Sequence, residues 1–137
     1  MTALPVSPSG TAPTVSIVIP AYNEEATIRA CVTAALAQTV PAHEVIVVDN
    51  RSTDRTAAIV AELQAANPDA PLRVIPQFAE QGLVPTRNLG LDSATGDVIG
   101  RIDADSVLEP TWVEEVQKAF LDPAVAAATG PVLYYDM

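Results

Sequence analysis

Short β-branched runs alternating with stretches of helical period leave this chain few ways to fold. The runs are "VSIVI" (15–19), "EVIVVD" (44–49), "PLRVIP" (71–76) and "DVIGRID" (97–103). Between them, "EEATIRACVTAALAQ" (24–38) carries Ile28, Val32, Ala35 and Leu36 at helical spacing. "RSTDRTAAIVAELQAAN" (51–67) carries Ile59, Val60 and Leu63 inward, with Ser52 or Thr53 as its cap. "VPTRNLGLDSA" (84–94) reads as a short helix with Pro85 near its first turn. "EPTWVEEVQKAFLD" (109–122) reads as a helix begun by Pro110, with Trp112, Val113, Val116 and Phe120 on one face, and a fifth, buried strand is predicted over "AVAAATGPVLYY" (124–135). Strands that are apolar almost throughout cannot turn one face to water. The pattern therefore predicts an α/β fold, a mostly parallel sheet covered by helices on both faces.

Charge narrows the partners. Seventeen acidic residues against seven basic ones give a formal charge of -10, and Lys118 is the only lysine. No basic stripe exists to follow a nucleic-acid backbone, and anionic lipid is equally disfavoured. A divalent cation is the obvious means of bringing a phosphorylated ligand to such a surface. Cys31 stands alone in a helical stretch, so there is no disulfide framework and no thiolate metal site, which fits a reducing compartment. Residues 1–13, "MTALPVSPSGTAP", lack the pattern of a signal peptide and are expected to be a flexible tail; no run of about 18 apolar residues follows. These features predict a cytoplasmic chain, associated with the cytoplasmic face of a membrane only through other segments or partners.

The chemically loaded residues cluster where the strands end: "PAYNEE" after the first, "DNRSTD" after the second, "DADS" after the fourth. In open α/β sheets ligands bind beyond the carboxyl ends of the strands. Asp103 and Asp105, two apart on an extended chain, point to one side and can reach one ligand. Mg²⁺ or Mn²⁺ held by one or two carboxylates completes its shell with water and substrate phosphates. The other reading of "DADS" is an acidic turn that caps the next helix, and both stay open on the motif alone.

Taken in order, "VSIVIPAYNEE", "EVIVVDNRSTDRT" and "QGLVPTRNLGLDSATGDVIGRIDADS" resemble the glycosyltransferase family 2 nucleotide-sugar transferases of the GT-A fold, from about Val15 to Tyr135. The resemblance implies a Rossmann-like sheet and a nucleotide-sugar-binding domain over 14–137. It implies that Pro20, Ala21, Tyr22 and Glu24 pack on the base and ribose and that Asp49 hydrogen-bonds the base. It also implies that Arg87 and Asn88 lie near the nucleotide, with an Arg87 ion pair to the aspartates as the alternative. Asp103, Ala104 and Asp105 match the Asp-x-Asp motif, with the first acid by the ribose and Asp105, helped by Asp103, holding Mn²⁺ or Mg²⁺ on the diphosphate. The family often has a second acid and a glycine after its first strand-end acid, where this chain has Asn50 and Arg51. Asp54 reads as a helix start, and Gly82, Gly90 and Gly96 as turn and packing residues.

The implied reaction moves a sugar from a nucleotide diphosphate, UDP favoured, to a hydroxyl of a sugar, lipid or small-molecule acceptor, with inversion and with metal-assisted departure of the diphosphate. The family's acceptor-binding portion, with the general base, is expected after the fifth strand, whereas the sequence ends at Met137. No base is identified in this chain, and Glu109, Glu114 and Glu115 read as a solvated helix face. A second chain or self-association through "VAAATGPVLYY" is one way to complete the site. Two other readings stay open: a non-catalytic nucleotide-sugar binding or assembly module, and a haloacid-dehalogenase-like phosphatase in which "IDADSVL" is the nucleophile motif. A dinucleotide-dependent oxidoreductase lacks its G-x-G-x-x-G.

Overall fold

β-branched side chains fit a pleated, buried surface, and the four apolar runs form four strands. A computed structural model of the chain describes residues 12–76 and 83–121, with the backbone alone at 83–87. The order along the chain is β1 (Val15–Ala21), α1 (Ile28–Leu36), β2 (Glu44–Asp49), α2 (Thr56–Ala66), β3 (Leu72–Pro76), α3 (Leu83–Ser93), β4 (Val98–Arg101) and α4 (Trp112–Ala119). All pairings among the described strands are parallel, in the order β3-β2-β1-β4.

That order carries the functional geometry. From β1 the chain winds outward through β2 to β3, then returns to place β4 on the other side of β1. Parallel crossovers are right-handed, so reversing the direction of winding reverses the face on which the connecting helix lies. One face accordingly packs Val15, Ile17, Ile19, Val45 and Val47 against α1, α2 and α4. The other packs Val18, Ile46 and Val48 under α3, with Leu89 and Ala94 beside them. Alternate residues of β1 and β2 thus enter different cores, which is why neither strand shows a polar face. In open α/β sheets such a reversal is where ligands bind, beyond the carboxyl ends of the strands, here those of β1 and β4.

Gly90 lets α3 approach the sheet: a methyl group there would collide with Val18 Cγ1 and come within 3.0 Å of Val48 Cγ2. Intrinsic helix propensity favours alanine over glycine by up to about 1 kcal/mol, but overpacking costs about 1–3 kcal/mol. Gly90→Ala is expected to destabilise the chain by about 1 kcal/mol in urea titration; a gain in stability would show that α3 does not pack this closely.

At the amino end of the sheet, Glu44 is buried and fully partnered. The Ser16 hydroxyl, the Thr95 N–H and the Arg73 guanidinium each donate to it at 2.7 Å, and the Thr95 hydroxyl at 3.1 Å. Gly96 donates to Ser16 Oγ at 2.8 Å, so β1, β2, β3 and the α3–β4 connection meet at one carboxylate. Gln38 does a similar task between helices: its amide donates to Glu109 O at 2.8 Å and its Oε1 accepts the Val113 N–H at 2.8 Å, satisfying a free donor at the start of α4.

Several predicted boundaries move. The helices expected over 24–38 and 51–67 begin at Ile28 and Thr56, because their polar leading residues form side-chain bonds between loops. Neither Ser52 nor Thr53 caps α2. Asp54 Oδ1 accepts the Thr56 N–H at 2.9 Å, as its reading as a helix start anticipated. The helix expected over 109–122 is shorter, Trp112–Ala119. Pro13, assigned to the tail, is buried, and its carbonyl accepts from Gln117 at 2.9 Å. The rest of the tail through residue 11, Gly82 and the fifth strand lie outside the described residues.

Candidate functional site

Three loops converge beyond the carboxyl ends of β1, β2 and β4. From β1, Pro20 and Ala21 are buried, while Tyr22 is 46% exposed. Asn23 follows in the left-handed region at φ 51°, a conformation asparagine tolerates, and reverses the chain. Glu24 is half-buried; burial and the charge of Asp105 push its carboxyl above the ordinary range, opposed by a bond from the Thr27 hydroxyl. From β2, Asp49 is half-buried and its Oδ1 accepts the Ser52 N–H at 3.2 Å.

These first two loops are laced together. Asn23 Oδ1 accepts the N–H of Thr53 at 2.7 Å and of Asp54 at 3.3 Å, and the Asn23 N–H donates to Ser52 Oγ at 3.0 Å. The Glu24 N–H donates to Thr56 Oγ1 at 2.8 Å. The Glu25 N–H donates to Asp54 Oδ2 at 3.2 Å, and the Arg55 N–H donates to Glu25 Oε1 at 3.0 Å. Asn23, Glu25, Ser52 and Thr56 escaped the sequence reading as functional residues. The available signal was two clusters of turn-forming polar residues at the ends of adjacent strands.

The acidic stretch after β4 differs from its predicted form. β4 ends at Arg101, so Asp103 and Asp105 do not lie on an extended strand. The Ser106 N–H bonds Asp103 O at 3.0 Å, closing a turn around Ala104 and Asp105. Ala104 is buried in the main core. Asp103 is partly exposed and paired with Arg101 Nη1 at 3.0 Å, and Asp105 is exposed. The ion-pair partner of the aspartate turn in the described structure is thus Arg101, which the sequence reading did not single out. The Arg87 side chain lies outside the described residues, and Asn88 is exposed on α3.

Beneath the turn, the Cys31 thiol donates to Asp103 O at 3.5 Å. Burial, then the charges of Asp105, Glu24 and Asp103, push that thiol up to about 12, so it is a neutral support and not a nucleophile. Ser106 Oγ is buried with no hydrogen-bond partner among the described residues. Among the described residues no three His, Cys, Asp or Glu side chains gather to enclose a metal. Two carboxylates on one turn, one of them open to solvent, instead suit a hard cation that takes its remaining ligands from water and a bound phosphate.

The sequence model described as Glycosyl transferase family 2 matches residues 16–137. The chain belongs to glycosyl transferase family 2. This family 2 chain is 34% identical over 108 residues to the glycosyltransferase AglE of Haloferax volcanii, an overlap of 77% of this chain and 35% of that protein. Its fold is similar to the mannosyltransferase PcManGT from Pyrobaculum calidifontis, solved in complex with GDP-Man and Mn²⁺, at a TM-score of 0.78 and 29% identity over 90% of this chain and 37% of that one. It is also similar to the glucosyl-3-phosphoglycerate synthase of Mycobacterium tuberculosis in complex with Mn²⁺, UDP and glucosyl-3-phosphoglycerate, at a TM-score of 0.64 and 26% identity over 82% of this chain and 41% of that one. The fold is therefore the GT-A α/β fold, as the resemblance implied, and the chain spans well under half the length of these relatives.

Family 2 membership sets aside the phosphatase reading of "IDADSVL". It also gives meaning to Arg51, which stands where the family often has glycine. Arg51 has φ 58°, the left-handed region that glycine occupies without a steric cost.

Proposed function

We propose that this chain supplies the donor half of an inverting glycosyltransferase that uses a nucleotide-diphosphate sugar, UDP favoured, with Mn²⁺ or Mg²⁺. The observation that supports the reading is that the loops bearing Tyr22, Asp49 and the Asp103–Asp105 turn all follow the carboxyl ends of neighbouring parallel strands, at the point where the sheet reverses its winding. The complexes of related proteins with GDP-Man, UDP and Mn²⁺ support the same ligand class.

In this reading residues 14–137 bind the donor. The exposed ring of Tyr22 packs on the base, above a floor made by Pro20 and Ala21. The Asp49 carboxylate accepts from a base N–H. Asp103 faces the ribose, and its pairing with Arg101 limits the charge that a diphosphate must approach. Asp105 is the principal cation ligand, with Asp103 beside it and Glu24 behind; Arg87 and Asn88 flank the nucleotide. When bound, the cation neutralises charge that builds on the departing diphosphate. The bond between the anomeric carbon and the diphosphate breaks as an acceptor hydroxyl attacks from the opposite face, and its proton passes to a base that this chain does not identify.

The charge of -10 makes a sharp expectation, since an acidic crevice repels a bare diphosphate. UDP titrated calorimetrically with Mn²⁺ should bind, and EDTA should abolish the binding. Asp105→Ala should weaken it at least ~30-fold, about 2 kcal/mol. Equal binding with and without metal by the wild-type chain would refute the cation's role; unchanged affinity in the variant would refute that of Asp105.

A further inference from the structure

We propose that Asn23 is a positioning residue for the donor base: it holds the Tyr22 and Asp49 loops at a fixed separation without itself touching the ligand. The inference rests on the donor-site reading and adds a part to it. Backbone pairing between β1 and β2 ends at the Ala21 and Asp49 partners, with one further bond from the Asn50 N–H to Ala21 O at 2.8 Å. Beyond that point the sheet no longer ties the two loops, although both residues assigned to the base sit at or past it.

The tie is made by side chains: Asn23 makes the part next to Tyr22, and the Glu24–Thr56, Glu25–Asp54 and Arg55–Glu25 bonds join the loops farther from the base. One continuous path runs from Asp49, which accepts the Ser52 N–H, through Ser52 Oγ, which accepts the N–H of Asn23, the neighbour of Tyr22. A second runs from Asn23 Oδ1 to the Thr53 and Asp54 N–H groups. The left-handed backbone at Asn23 sets the direction in which Tyr22 leaves the sheet. The Asp103–Asp105 turn is secured independently, by the Ile102 N–H on Val18 O at 2.9 Å, the Ser106 N–H on Asp103 O, and the Cys31 thiol. Loss of the Asn23 tie should therefore weaken the base end of the ligand and spare the diphosphate end.

The test is calorimetric titration of UDP and, separately, of inorganic pyrophosphate, both with Mn²⁺, into the 137-residue chain and its variants. Asn23→Gly keeps the left-handed backbone and removes the acceptor; it should lose ~10-fold or more in UDP affinity and stay within ~2-fold for pyrophosphate. Asn23→Asp keeps an acceptor in a residue that tolerates this backbone, and should stay within ~3-fold of wild type for UDP. Wild-type UDP affinity in Asn23→Gly, or equal losses for UDP and pyrophosphate, would overturn the proposal. Should that variant fail to fold by circular dichroism, Ser52→Ala, which cuts one path, should lose ~3-fold for UDP alone, and no loss would overturn the proposal. A wild-type chain that binds none of UDP, GDP and dTDP would instead refute the donor-site reading beneath it.

Discussion

Trp112→Ala should lower the free energy of unfolding by about 4 kcal/mol, the largest loss expected from any single core substitution here. The indole is fully buried, and it lies against Gly100 of β4 so closely that a methyl group at that glycine would strike the ring. Truncation removes that whole contact surface. The space cannot close easily, because Gln38 and Thr39 hold the start of α4 from the other side, Thr39 through its N–H on Pro110 O at 2.9 Å. A cavity then remains beneath the segment that joins the aspartate turn to α4, and its cost adds to the lost transfer energy. Trp112→Phe should lose about half as much, since a smaller ring fills part of the space. Trp112 is the sole tryptophan, so urea unfolding of both variants is followed by far-ultraviolet circular dichroism. A loss under about 1 kcal/mol for the alanine variant would contradict the packing of α4 on β4.

The second large effect is at Glu44 and depends on pH. Burial alone would raise this carboxyl. It is outweighed by bonds from the Thr95 N–H, the Ser16 hydroxyl, the Arg73 guanidinium and the Thr95 hydroxyl, which hold it at about 2 instead of 4.5. Because the folded value lies below the unfolded one, the stabilisation is complete above pH 4.5 and is lost as pH falls toward 2. The gap corresponds to about 3 kcal/mol. Glu44→Gln should therefore destabilise the chain by about 3 kcal/mol at neutral pH, leaving Arg73 without its anion and the Thr95 donors poorly matched. Denaturant titrations of both proteins from pH 7 to pH 3 should show the difference narrowing as the pH drops. Parallel stability curves would mean that Glu44 does not carry this ionisation.

The fold was legible because its strands are short, β-branched and apolar on both sides, and because helical period returns between them. The inward residues Ile28, Val32, Ala35, Ile59, Val60, Leu63, Trp112, Val113 and Val116 are buried as the periodicity predicts. Leu36 and Phe120 are only partly so, lying at helix ends. Boundaries were less legible, for one recurring reason. At residues 24–27 and 51–55 the polar side chains satisfy a neighbouring loop's backbone donors, and that competition cannot be seen in either segment alone. The Asp103–Asp105 stretch shows the same limit. An extended reading followed from its strand-like flank, whereas the closure of Ser106 onto Asp103 makes it a turn, and the burial of Ala104 fixes which side faces the core.

Local pattern thus settled what is a property of neighbours in the chain: the strand and helix types, the apolar faces, and the acidic character of the strand ends. Tertiary structure decided which distant residues meet. The loops that carry Tyr22, Asp49 and Asp105 leave the same end of neighbouring strands because the chain reverses its winding about β1. Arg101 holds Asp103, Cys31 supports the turn from below, and Asn23 binds the loop after β2. Each of these is a pairing of groups brought together by sheet order. Sequence spacing encodes only the contacts that one helix or one strand can make with itself.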